Sequence, residues 1–226
     1  GGSATNDGGV GMAQALGVSF KDKEGKEIGY GGEQLAHIHD IDLTNIHKPL
    51  NETEIVIMSD VMNPLCGING AAHVYGPQKG ATPKIVKQLD NNLRHYATLI
   101  KEKLGKDVLN TSGAGAAGGL GAGLMVFCNA SLCSGVDKVL DIMEIDKHLV
   151  DSDLVITGEG RIDSQSVNGK VPVGVAKRAS KYNVPVIAIV GSIGEGASAV
   201  YSWGIDAIVD IVTRPMNLSE AMENAS

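Results

Sequence analysis

Side chains able to handle a small charged molecule crowd one stretch of this sequence, Thr157 to Ser192. Glu159, Arg161, Asp163 and Lys170 stand there among Gly158, Gly160 and Gly191, with the hydroxyls of Ser164, Ser166 and Ser192 and the amide of Asn168. Glycines let backbone amides approach an anion, while Arg and Lys neutralise it. A neighbouring acid can hold a cation or accept a proton. The opening residues, GGSATNDGG, form a second such set: Ser3, Thr5, Asn6 and the loop's one acid, Asp7. A loop of this kind leading into a helix collects unpaired amides and suits an anion. Two readings stand side by side: Asn6 or Asp7 is simply the helix N-cap, or Asp7 is a base or metal ligand. Asp60 and Asn63, at an Asn-Pro turn, mark a third candidate. Gly113, Gly115 and Gly118 spell GxGxxG and make a fourth. Lys79, in GPQKGATP, reads more simply as solvated than as an anion ligand.

The elements that must position these residues follow from the apolar runs. Leu154 to Thr157 reads as a buried strand that breaks at Gly158 and Gly160. Val171 to Tyr182 has helical spacing, and Pro185 opens a second strand, Val186 to Val190, stopped by Gly191. Strand, helix and strand make a βαβ unit of a parallel sheet, whose ligands sit beyond the carboxyl ends of the strands. A short helix at Ala197 to Trp203 and a third strand, Ala207 to Val212, extend it, and a helix starts near Leu218. Upstream, a small-residue helix spans Val10 to Leu16, Lys21 to Tyr30 is a hairpin-like excursion, and Ile55 to Met58 is a strand. Thr82 and Pro83 begin an amphipathic helix that carries Val86, Leu89, Leu93, Ala97, Ile100 and Leu104 and ends at Gly105. The glycines from Gly113 lead into a helix at Leu120 to Leu132, and Asp137 to Leu149 reads as one amphipathic helix. A domain boundary falls near Val150, giving 1–150 and 151–226.

Motif spacing narrows the chemistry. The residues ahead of Gly113, KDVLNTS, make a poor strand, which argues against a dinucleotide fingerprint. Gly169-Lys170 is followed by Val171, so GxxxxGK[ST] is missing and a Walker-type kinase is excluded. A net charge of −7 with no long basic run argues against nucleic acid or a membrane surface as partner. His37 and His39 have no further ligands at zinc-like spacing. The three cysteines, Cys66, Cys128 and Cys133, form no CxxC, and the last two are expected in a helical segment as reduced, buried thiols. No apolar stretch reaches the roughly 18 residues of a membrane span and no signal peptide is visible, so a cytoplasmic protein is expected. The sequence lacks an initiator Met and opens inside a motif, which reads as a piece of a longer protein.

GGSATNDGG, DVMNPLCGINGA, YGPQKGAT, GAGAAGGLGAGL and VITGEGRIDSQSVNGKVPVGVA, in this order, resemble the bacterial glycerate kinase family, type I, the glycerate 2-kinases. The resemblance covers essentially the whole chain. It implies transfer of the γ-phosphate of ATP to D-glycerate, giving 2-phosphoglycerate, with Mg2+. It also implies an α/β fold: an inserted, restriction-endonuclease-like α/β domain at 1–150, and half of a flavodoxin-like parallel-sheet domain at 151–226. Family members carry a further N-terminal third and a C-terminal helix, so this polypeptide alone is expected to be inactive. On that reading Asp7, Arg161 and Lys170 are catalytic candidates and Asp163 the metal candidate. Ser3, Asn6, Asp60, Asn63, Gly113, Gly115, Gly158, Glu159, Gly160, Ser164, Gly191 and Ser192 are candidates for holding substrate or nucleotide. A nucleotide-dependent oxidoreductase and a non-catalytic sensor of small carboxylates are the rival readings, and an unpaired strand edge leaves a homodimer open.

Overall fold

The computed structural model describes residues 3–167, 169–212, 214, 216 and 218–223. Gly1 and Gly2 of the opening motif, and Asn168, lie outside the described residues. The chain packs as two units, 1–133 and 134–226.

In the first unit α1 (Val10–Ala15) is followed by β1 (Ser19–Lys21), which pairs antiparallel with β2 (Asp40–Asp42), Phe20 opposite Ile41. Then come β3 (Val56–Met58), α2 (Ala71–Tyr75), α3 (Pro83–Leu104), α4 (Ala116–Phe127) and β4 (Ser131–Cys133). The long helix α3 begins where expected, because Thr82 Oγ1 accepts the Ile85 amide at 3.4 Å and Pro83 gives up no needed donor. It ends where Gly105 turns left-handed, at φ 69°. Its buried stripe, Leu93, Tyr96 and Ile100, meets Phe20, Leu35 and Leu65 in one core. Each such burial contributes about 1.5–3 kcal/mol. The Tyr96 hydroxyl donates to the Gly8 carbonyl at 3.2 Å, so the same core anchors the opening loop.

Two expectations need correction here. The helix expected to reach Leu132 stops at Phe127, since Asn129 turns to φ 51°. Residues 131–133 then form β4, parallel to β3, with Ile57 opposite Leu132. The amide of Ser59 donates to the Cys133 carbonyl at 3.0 Å, which extends that pairing to the β3 exit. Cys133 therefore lies in a strand and Cys128 caps α4, instead of both riding on a helix.

The second unit holds α5 (Gly135–Ile142), α6 (Ile145–Leu149), β5 (Val155–Glu159), α7 (Val171–Ala179), β6 (Val186–Val190), β7 (Ala207–Asp210) and α8 (Leu218–Glu223). The helix expected over 137–149 is two helices, broken at Glu144, whose φ is 51°. Both pack with the second unit. Arg178 on α7 ties them down: Nη1 donates to Asp146 at 2.6 Å and Nη2 to Asp141 at 2.5 Å.

The sheet is parallel, in the order β5-β6-β7, with Thr157 opposite Ala188 and Ala188 opposite Ile208. One face, carrying Val186, Ala188 and Val190, is buried with Val173, Ala176 and Ala179 of α7. The other face carries Ile156, Ile189 and Val209 at 63%, 41% and 48% exposure. Its strands are apolar on both faces, yet within the described residues only one is covered. β5 also runs further than expected, because Gly158 and Glu159 pair with Ile189 and Val190 and belong to the strand.

Candidate functional site

In the first unit, several segments end at the carboxyl edge of the β3–β4 pair around a hollow of about 650 Å³. The β3 exit, from Ile57 through Ser59 to Val61, lines it together with Ala117, whose backbone is left-handed, and with Leu120, Gly121 and Leu124 of α4. Ser3, Ala4, Tyr75, Gln78 and Lys79 complete the lining. Lys79 is not simply solvated: Nζ donates to Ser3 Oγ at 2.9 Å and to the Thr5 carbonyl at 2.6 Å. Burial pushes its ammonium below the usual lysine range, opposed by the charge of Asp7. Lys79 also lines a neighbouring hollow of about 380 Å³, together with Thr5, Asn6 and Gly32.

Asp7 is buried, and both carboxylate oxygens accept backbone amides, Gly9 N–H and Gly11 N–H, each at 3.1 Å. That is the capping geometry of α1, where free amides need an acceptor. Asn6 is also buried, and neither its side-chain oxygen nor its nitrogen has a hydrogen-bond partner among the described residues. Asn63 holds its turn: Oδ1 accepts the Tyr75 hydroxyl at 2.7 Å and Nδ2 donates to the Asn69 carbonyl at 2.9 Å. Asp60 lies exposed between Ser59 and Val61, two residues that line the larger hollow.

Gly113 and Gly115 are buried, and the Gly115 amide donates to the Asn63 carbonyl at 3.0 Å. Gly118 must be glycine: its φ is 76° and a Cβ there would collide with the Thr5 carbonyl. The Gly8 amide donates to the Gly118 carbonyl at 3.1 Å, so the glycine run and the opening loop lie backbone to backbone.

The second set belongs to the other unit and gathers where β5 and β6 end. The two exits run on side by side: Gly191 donates to the Glu159 carbonyl at 3.1 Å, Ile162 to the Ser192 carbonyl at 3.1 Å, and Gly194 to the Ile162 carbonyl at 2.7 Å. A Cβ on Gly191 would sit 2.7 Å from the Gly160 carbonyl, so this close approach requires glycine. Glu159 Oε1 accepts the Gly160 amide at 3.2 Å, and the Ser164 amide donates to the Glu195 carbonyl at 3.0 Å. Arg161 is 62% exposed along its side chain, with Nε 3.4 Å from Asp163 Oδ2. Asp163 Oδ1 accepts the Gln165 amide at 3.0 Å, while its own amide donates to buried Ser166 Oγ at 3.0 Å. Lys170 Nζ donates to the Arg161 carbonyl at 3.1 Å, bracing the loop that carries the guanidinium.

The described residues contain no group of three or more His, Cys, Asp or Glu side chains placed to hold a metal ion. With both Asp163 oxygens engaged, the donor set does not suit magnesium caged by protein alone. No helix among the described residues is long and apolar enough to cross a membrane. Sequence reasoning weighed Lys79 as an anion ligand but preferred a solvated lysine. The available signal was the tight 3-10 turn Pro77–Lys79, closed by Gly80 at φ 90°, which aims a lysine back at the opening loop.

The family model described as "Glycerate kinase family" matches residues 1–226. The chain is 52% identical over 223 residues to a glycerate kinase of Halalkalibacterium halodurans, covering 99% of this chain and 59% of that protein. It is 51% identical over 225 residues to the glycerate 2-kinase of Escherichia coli, covering 100% of this chain and again 59% of the relative. A crystal structure of a protein named as glycerate kinase 2 from Salmonella typhimurium superposes on the whole chain with a TM-score of 0.82, at 48% identity and covering 58% of that protein. The chain thus spans somewhat more than half the length of these relatives, and it belongs to the glycerate kinase family.

Proposed function

We propose that the full-length protein, meaning these 226 residues with whatever chain flanks them, transfers the γ-phosphoryl group of ATP to the 2-hydroxyl of D-glycerate. The observation that carries this reading is the match to named glycerate kinases over 99% and 100% of the chain, one of them a 2-kinase. The larger hollow and the paired strand exits are consistent with it, since parallel sheets bind ligands beyond their carboxyl ends. In the domain reading, residues 1–150 are the inserted α/β domain and residues 151–226 half of a flavodoxin-like sheet domain.

Phosphoryl transfer asks for positioning and charge neutralisation more than for covalent chemistry by the protein. The glycerate hydroxyl oxygen attacks the γ-phosphorus, the bond to the β-phosphate oxygen breaks, and ADP leaves. Arg161 neutralises the glycerate carboxylate or the transferring group, and Lys170 supports it as a second cation while bracing the same loop. Backbone amides near Gly158, Gly160, Gly191 and Ser192, with Glu159 and Ser164, position the anion. In the first unit Asp7 is the candidate proton acceptor, with Ser3 and Asn6 in its loop, while Asp60, Asn63, Gly113 and Gly115 shape the β3 exit. Magnesium, delivered with the nucleotide and touching the protein through Asp163, would supply charge to the phosphates; no step here depends on it. ATP as donor and three reduced cysteines suit a cytoplasmic enzyme.

The test is ADP release by full-length protein offered ATP with D-glycerate, L-glycerate or tartronate. Release that depends on D-glycerate is expected, and its absence overturns the reading. Arg161→Ala is expected to cut the rate by about a hundredfold or more. Unchanged kinetics would remove Arg161 from the mechanism.

A further inference from the structure

The hollow at the β3 exit is built for something larger than glycerate. Much of its lining is apolar, with Ile57 and Met58 from β3 and Leu120 and Leu124 from α4. At about 650 Å³ it falls within the roughly 300–1,000 Å³ usual for cofactor sites. A three-carbon hydroxy acid would leave that lining wet. A planar heteroaromatic ring has two apolar faces to lay against it and a polar edge to hydrogen-bond.

The remaining lining is polar and cationic. Gln78 and the Tyr75 side chain offer donors and acceptors, and Ser3 and Lys79 lie where the opening loop meets the 3-10 turn. The Lys79 ammonium spends two N–H groups on Ser3 and Thr5, and an ammonium has three. A phosphate oxygen could accept the third N–H of that half-buried cation.

We infer that this hollow seats the nucleoside of the phosphate donor, with the base between Met58 and Leu124 and the phosphates turned toward Ser3 and Lys79. The inference rests on the kinase reading and adds the nucleotide's place. Every residue it needs belongs to the first unit. It also gives Lys79 a task, that of ligand to the phosphate chain.

Two experiments on the full-length protein decide it. Irradiation with 8-azido-ATP, followed by peptide mapping, is expected to label residues within 57–61 or 116–124, and excess ATP is expected to abolish that label. Label elsewhere, or none that ATP displaces, overturns the inference, and ADP release measured on the same sample shows separately whether the kinase reading stands. Met58→Trp, which narrows the hollow from an exposed position, is expected to raise KM for ATP at least tenfold and to leave KM for D-glycerate within twofold. A shift confined to glycerate, or no shift, contradicts it. If that variant fails to fold, the labelling of unaltered protein decides alone.

Discussion

Replacing Asp7 by Asn separates the capping contacts of this side chain from the proton-accepting role proposed for it. The carboxylate accepts Gly9 N–H and Gly11 N–H at 3.1 Å each, in a position only 8% exposed. Asn keeps one acceptor oxygen and puts an NH2 where the other oxygen stood, so one buried amide of α1 faces a donor. A hydrogen bond to a charged group is worth about 1.5–3 kcal/mol, so Asp7→Asn is expected to cost about 2 kcal/mol. For a unit of this size that is a fall in Tm of roughly 6–8 °C, read by calorimetry of the full-length protein. As proton acceptor, Asp7 also implies a fall in kcat of roughly 10²–10⁴-fold, measured at a temperature where the variant stays folded. An unchanged Tm would refute the capping geometry. A lowered Tm with unchanged kcat would leave Asp7 as a cap and move the base elsewhere.

Other predictions follow from single contacts. Burial pushes the Cys66 thiol up to about 12 from an ordinary value of 9.0, so at pH 8 its reaction with Ellman's reagent should run about a thousandfold slower in the folded than in the unfolded chain. Because the folded state keeps a proton that the unfolded state gives up, Cys66 stabilises fully below about pH 9 and loses that contribution as pH rises toward 12; Cys66→Ala should flatten the alkaline fall in urea midpoint. Arg178→Met should lower the stability of the second unit, because Asp141 and Asp146 lose their shared cation and α5 and α6 their tether, while a nucleotide seated in the first unit as inferred should bind as before. Nucleotide titration and urea denaturation of that variant check both halves.

The parallel sheet of the second unit was legible because its strands are continuous apolar runs and its helix has clear spacing; Val186 to Val190 is found as read. The exposed face of that sheet was not legible, since Ile156 and Ile189 have the same composition whether covered or bare. β4 escaped notice because three residues after a small-residue helix carry no period of their own, and only pairing with β3 makes Ser131 to Cys133 a strand. The break at Glu144 depends on a left-handed non-glycine residue that sequence does not announce. Site candidates were legible as residue types at strand ends. Longer-range hydrogen bonding was not: it ties Asn63 to Tyr75 and Lys79 to Ser3 and Thr5, partners that the local sequence does not announce, whereas the cap at Asp7 is local and was one of its two readings.

Product identity tests the central claim most directly. Full-length protein, ATP and D-glycerate should yield, by phosphorus–proton correlation NMR, a phosphate ester coupled to the C2 proton, with one ADP formed per ester. Coupling to the C3 methylene protons, or ADP formed without any glycerate ester, would contradict a glycerate 2-kinase.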